Sequence, residues 1–221
     1  MTEYARPTKL EFIPDRFKGQ VIGITGVGSI DNLGYAAAER LLKEGAQTIV
    51  IYDVNEEGLR VAKKRLDSIA GSDKVMYTLM DITKLEDVQQ KVAHTLRTCS
   101  RLDAIINCAG ISGDTGKLIE ETDPQTFAKI LGVNLFGSYN ITRTVIPIMK
   151  QQKYGRILLV DSIAGVDGNP KMAGYCTSKF GVSGLIVGTG QELADYAKAT
   201  PDADININGI APILINTPML R

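Results

Sequence analysis

Short apolar runs rich in β-branched residues alternate along this chain with amphipathic segments of helical period. Residues 20–25 predict a first strand, 33–44 a helix stopped by Gly45, and 48–52 a second strand. Leu59, Ala62, Leu66 and Ile69 recur at helical spacing, 74–79 predict a third strand, and Leu85, Val88, Val92 and Leu96 share the face of another helix. Residues 102–106 predict a fourth strand, 123–150 a long helical stretch bent or ended near Pro147, and 156–160 a fifth strand. A helix carrying Tyr175 and reaching about residue 198 comes next, and 204–210 predict a sixth strand. Near-continuous apolar strands suit burial on both faces. Strict strand–helix alternation argues for an α/β fold, a doubly wound parallel sheet of the Rossmann-like kind. Neither a repeat nor a linker divides the chain, so we read residues 1–18 as a lead-in and 19–221 as one dinucleotide-binding catalytic domain.

Composition narrows the class. A chain of 221 residues, 44% hydrophobic, can bury one sizeable core. Its 25 basic and 25 acidic side chains balance, which argues against a nucleic-acid partner. No apolar run is long enough to span a bilayer, and the mixed charges and prolines before Lys18 do not form a signal core, so a cytoplasmic location and no membrane partner are expected. Cys99, Cys108 and Cys176 are odd in number and lack a CxxC spacing, which suits reduced thiols. The single histidine, His94, falls in a surface helix, so neither a histidine-based triad nor a metal site is expected.

Three features carry chemistry. The first strand ends in Thr25-Gly26-Val27-Gly28-Ser29-Ile30-Asp31-Asn32-Leu33-Gly34, where a helix opens. Glycines there let backbone approach a pyrophosphate, and the helix N-terminus offers free N–H groups and a positive dipole end. Asp53, ending the second strand, stands where a carboxylate binds the adenosine ribose hydroxyls and repels a 2′-phosphate, which predicts NAD(H) over NADP(H). Tyr175 and Lys179 stand four apart, on one face of the predicted helix, with Ser162 at the end of the fifth strand. An ammonium beside a phenol lowers the phenol's pKa, and such a tyrosine can exchange a proton with an alcohol or ketone.

Together these residues resemble the short-chain dehydrogenases/reductases in their single-domain form, from about Lys18 to Met219. Thr25-Gly26 with Leu33-Gly34 is similar to the family's cofactor turn, Asp81-Ile82 to its adenine-binding step, and Asn107-Cys108-Ala109-Gly110 to its Asn-Asn-Ala-Gly motif. Asn134 matches the catalytic asparagine, Ser162, Tyr175 and Lys179 complete the tetrad, and Pro212 with Thr217 resembles the segment that holds the nicotinamide carboxamide. The resemblance implies NAD as cofactor, Tyr175 as general acid/base, Lys179 as tuner of its pKa and ribose ligand, Ser162 as holder of the substrate oxygen, and Asn134 as the group that orders a helix kink and a proton-relay water.

Several positions depart from the family pattern. The cofactor turn is two residues longer than usual, with Asn32 where a glycine is expected, Asp161 precedes Ser162 where small residues are common, Ile213 follows Pro212 in place of glycine, and 195–204 reads as an insertion. Because the chain stops at Arg221, the sheet is expected to lack the family's last strand and substrate-covering segment.

The activity implied is interconversion of a secondary alcohol and a ketone, similar to small-alcohol dehydrogenases, with 3-oxoacyl carrier-protein reduction as an alternative within enzymes. The rival from another class is a non-catalytic NAD-binding interaction protein. A small-molecule substrate and a homo-oligomer, dimer or tetramer, complete the expected partners. Lys117 and Lys171, in the loops 112–117 and 166–173 that would choose the substrate, read as solvated.

Overall fold

The computed structural model describes residues 12–213 and 215. Six strands, β1 (Val21–Thr25), β2 (Thr48–Asp53), β3 (Val75–Leu79), β4 (Ala104–Asn107), β5 (Tyr154–Val160) and β6 (Asp204–Ile210), form one sheet in the order β3-β2-β1-β4-β5-β6. Every pairing is parallel. Helices α1 (Leu33–Lys43), α2 (Glu56–Ala70), α3 (Leu85–Cys99), α4 (Pro124–Leu131), α5 (Gly137–Gln152) and α6 (Ala173–Ala199) fill the crossovers.

Alternation along the strands sorts the core into two halves. In β1, Val21 belongs to the cluster that includes Val88, Val92, Ile141, Val145 and Val182 from α3, α5 and α6. Ile22 and Ile24 belong to the other, with Leu41, Leu42, Leu59 and Leu66 from α1 and α2. Because successive side chains of a strand point to opposite faces, one run of apolar residues supplies both layers. The chain order reverses between β1 and β4, and the crevice beyond their carboxyl ends is where an open α/β sheet holds ligands.

The helical stretch expected over 123–150 differs in one respect. Asp123 caps α4 by accepting the Thr126 N–H at 2.8 Å, and a π-helical turn, Gly132–Phe136, then joins α4 to α5. Pro147 lies inside α5, which runs past it to Gln152. The irregularity therefore sits at Asn134, not at the proline. Among the described residues, no helix is long and apolar enough to cross a membrane.

Candidate active site

The turn after β1 is built by glycines and one asparagine. Gly26 has φ +73°, and a Cβ on it would lie 2.6 Å from the Ala109 nitrogen, so this turn can touch the loop after β4 only without a side chain. Asn32 takes over where a glycine was expected. Its Oδ1 accepts the Tyr35 N–H and its Nδ2 donates to Gly26 O, both at 2.9 Å, capping α1 and closing the lengthened turn. The first N–H groups of α1, at Leu33 and Gly34, have no intrahelical acceptor, and both residues line the cavity described below.

The additional residues of the turn pack on the end of β2. Gly28 N–H donates to Asp53 Oδ2 at 2.7 Å, and Asn55 N–H to Oδ1 at 2.9 Å. Asn55 also donates from Nδ2 to Gly28 O at 3.1 Å and accepts Gly58 N–H at 3.1 Å, capping α2. A Cβ on Gly58 would lie 1.9 Å from Gly28 O. Sequence reasoning missed Gly28, Asn55 and Gly58 as a group. The available signal was a cap residue two positions past Asp53 and a glycine in the first turn of α2.

Asp81 and Ile82 follow β3. Burial works against ionisation of Asp81, but hydrogen bonds from Thr83 and the nearby Lys84 ammonium hold its carboxyl below the ordinary value. Ile82 O accepts from Asn140 Nδ2 at 2.9 Å, which ties this segment to α5.

A hydrogen-bond chain then crosses the molecule. Thr25 Oγ1 donates to Asn107 Oδ1, Asn107 Nδ2 to Ser138 Oγ at 2.9 Å, and Ser138 Oγ to Asn134 O at 2.6 Å. Asn134 Nδ2 donates to Ile111 O and lies 2.9 Å from Ser178 Oγ, its Oδ1 accepts Ile111 N–H, and Ser178 Oγ donates to Tyr175 O. Asn134 is buried, and its side-chain bonds to Ile111 belong to the π turn that bends the helix. Ala109 and Gly110 sit between these partners, and a Cβ on Gly110 would lie 3.3 Å from Asn134 Oδ1.

Ser162, Tyr175 and Lys179 meet beyond the end of β5. Ser162 caps a short 3₁₀ turn through Ala164 N–H, 3.2 Å from its Oγ, and lines the same cavity as the Tyr175 phenol. Lys179 is buried, donates from Nζ to Val160 O at 2.7 Å, and places Nζ 5.7 Å from the centre of the Tyr175 ring. Burial brings the Lys179 ammonium down to about 8, against the opposing effects of Asp161 and Cys108. Tyr175 departs from the expected direction. Burial raises its pKa above the ordinary phenol value, Asp161 and Cys176 add to the rise, and only the nearby Ser162 hydroxyl opposes it. Cys108, standing where the motif suggests asparagine, is pushed up to about 12 by burial and is a poor nucleophile.

Pro212 lies across the opening, its carbonyl accepting Ile163 N–H at 3.0 Å. Thr217 lies outside the described residues. One cavity of about 730 Å³ is lined by Thr25, Gly26, Leu33, Gly34, Asp53, Asp81, Ile82, Ala109, Gly110, Ser162, Tyr175, Lys179 and Pro212. Asn107 and Asn134 lie behind that lining, in the hydrogen-bond chain. Lys117 pairs with Asp114 at 2.7 Å, whereas Lys129, which sequence reasoning did not single out, lines the cavity. A long cleft with a glycine cradle and helix N-terminus at one end and a half-buried phenol with a buried ammonium at the other suits an extended dinucleotide.

Comparison with known proteins agrees with this geometry. The family model described as short chain dehydrogenase matches residues 20–221. Levodione reductase of Leifsonia aquatica is 34% identical over 221 residues, covering 100% of this chain and 76% of its own length. The 3-oxoacyl-(acyl-carrier-protein) reductase FabG of Thermotoga maritima is 32% identical over 204 residues, covering 92% and 77%. Among solved structures, levodione reductase superposes with a TM-score of 0.85 at 34% identity, over 93% of this chain and 75% of that one. NAD+-bound xylitol dehydrogenase superposes with a TM-score of 0.83 at 31% identity, over 93% and 74%. The chain therefore belongs to the short-chain dehydrogenase/reductase family of oxidoreductases.

Proposed function

We propose that the protein is an NAD(H)-dependent oxidoreductase that interconverts a secondary alcohol and a ketone, with Tyr175 as the proton-transferring residue. The observation that carries this reading is the convergence of Ser162, Tyr175 and Lys179 on the cavity that also holds the β1 glycine turn and Asp53. When bound, the nicotinamide cofactor supplies or accepts the hydride. Thr25, Gly26, Leu33 and Gly34 would hold its phosphates, Asp53 its adenosine ribose, Asp81 and Ile82 its adenine, and Ala109, Gly110, Pro212 and Thr217 the remainder, with Asn107 supporting that loop from behind.

The chain's own chemistry is proton transfer and orientation. Ser162 and the Tyr175 phenol line the same cavity, so a substrate oxygen held by both would sit on the proton path. In reduction, Tyr175 Oη gives its proton to the carbonyl oxygen; in oxidation it takes one from the hydroxyl. The phenol, with its pKa raised by burial, carries its proton at neutral pH. Lys179 Nζ, fixed on Val160 O, places positive charge behind the phenol, and Asn134 ties the π turn to α6 through Ser178.

Asp53 supports NAD(H) over NADP(H), since a 2′-phosphate would meet a carboxylate already facing the turn. Several solved relatives point the same way, including xylitol dehydrogenase bound to NAD+ and a 3-ketoacyl-(acyl-carrier-protein) reductase of Brucella melitensis complexed with NADH. A homo-oligomer acting in the cytoplasm on a small alcohol or ketone is part of this proposal. A screen of ketones with NADH and NADPH, wild type beside Tyr175→Phe, tests it. We expect turnover with NADH, weaker turnover with NADPH, and a loss of about 10²-fold or more in Tyr175→Phe. Equal turnover in both proteins would remove Tyr175 from its role, and cofactor binding without turnover would favour a non-catalytic NAD-binding protein.

A further inference from the structure

Asp161 is a buried carboxylate that none of the roles above uses. It is 6% exposed, and its Oδ1 has no hydrogen-bond partner. An ionised group in that position costs stability unless an opposite charge offsets it. Its surroundings are built closely. Oδ2 is bonded to Ser183 Oγ, which also lies 3.0 Å from Gly165 O. Gly165 presses its bare Cα into the contact: a Cβ there would lie 2.5 Å from Asp161 Oδ1 and 2.8 Å from Lys179 O.

Lys179 lies across the same turn, without a direct ion pair to Asp161. Val160, the residue before Asp161, accepts the Lys179 Nζ bond at 2.7 Å. Ser183 stands one helical turn beyond Lys179 on α6, so consecutive residues of the chain, Val160 and Asp161, grip consecutive turns of one helix face. Among the described residues, the titratable groups around this contact are few. Tyr175, Cys176 and Lys179 come from α6 and Cys108 from the loop after β4. The end of β6 offers only Ile210 O, which accepts Asp161 N–H at 2.8 Å.

We propose that Asp161 is a positioning residue that keeps Lys179 charged, acting as the buried counter-charge to the ammonium while its bond to Ser183 locks α6 against the end of β5. Two buried groups that would each be costly alone offset one another across the turn. The direction of the Asp161 effect on the lysine, toward the charged form, agrees with this. The functional weight of the inference rests on the oxidoreductase reading, in which Lys179 serves Tyr175, but the charge relation can be measured without turnover.

The experiment is a pH titration of ¹³C-labelled lysine side chains by NMR in the cofactor-free chain, with the Lys179 signal assigned by its loss in Lys179→Arg. Asp161→Asn is expected to move the Lys179 midpoint down by about one pH unit or more. Ser183→Ala, which keeps the charge and removes the bond, is expected to move it by less than half as much, and Asp161→Glu to stay near wild type. An unchanged midpoint in Asp161→Asn would overturn the proposal, as would equal shifts in Asp161→Asn and Ser183→Ala. If Asp161→Asn does not fold, Asp161→Ser, which is smaller and also neutral, gives the same readout. Failure of the oxidoreductase reading would appear elsewhere, as turnover that survives in Tyr175→Phe.

Discussion

Asn134 and Ile111 exchange two hydrogen bonds. Asn134 Oδ1 accepts the Ile111 N–H and Asn134 Nδ2 donates to the Ile111 carbonyl, each at 2.9 Å. A side-chain amide thus acts as a strand partner for a loop that would otherwise leave both backbone groups unpaired. Asn134→Ala is expected to lower stability by about 2–4 kcal/mol, because the buried partners lose their bonds together. Urea unfolding measures this. Asn134→Asp sets a carboxylate oxygen against the Ile111 carbonyl in a buried site, so it should cost at least as much as Asn134→Ala.

Lys179 burdens the fold at neutral pH. Its pKa falls from 10.5 in the unfolded chain to about 8 in the folded one, so between those values the unfolded state binds more protons. Stability therefore rises with pH across this window and levels off above the unfolded value. Lys179→Met removes the dependence. At pH 7 relief of the desolvated ammonium is opposed by loss of the Val160 bond and of the charge that offsets Asp161, so the expected readout is the flattened slope between pH 8 and 10.5. Chemical denaturation at several pH values checks the slope, and parallel curves would rule the assignment out.

Gly58→Ala is expected to weaken dinucleotide binding about tenfold, because the added methyl would meet Gly28 O and push the turn from Asp53. Titration of NADH fluorescence measures it, with circular dichroism to show that the fold is retained.

Gly184 in α6 is the opposite case. A Cβ there meets nothing within 4 Å and the residue is exposed. Gly184→Ala should raise stability by about 0.5–1 kcal/mol through helix propensity alone, read from the thermal unfolding midpoint.

The strands were legible because β-branched and apolar runs are dense where the sheet is buried. Residues 20–25 and 48–52 anticipate Val21–Thr25 and Thr48–Asp53. The positions of Ser162, Tyr175 and Lys179 at one cavity were legible too, since helical spacing and a strand end bring them together. What was hidden depends on contacts distant in sequence. The π turn answers to Ile111, a partner 23 residues away, and leaves no break in the apolar pattern, so only the family resemblance at Asn134 pointed to a kink there, whereas Pro147 gave a break signal that the helix absorbs. The upward shift of Tyr175 was hidden because spacing reveals the ammonium but not the amount of water removed from the phenol.

The strand order has a consequence for how the protein can change. The β1–β3 side carries the turn, Asp53, Asn55 and Asp81, while the β5–β6 side carries Ser162, Asp161 and, through α6, Tyr175 and Lys179. The two sides share one sheet and one apolar core, and a line of polar bonds, Thr25 to Asn107 to Ser138 to Asn134, also links them at the strand ends. On the proposed function, cofactor-binding and proton-transferring residues stand at opposite ends of the cleft, so substitutions that retune one can accumulate apart from the other while the shared core stays intact. A protein divided in this way can acquire a new cofactor preference without relearning its chemistry.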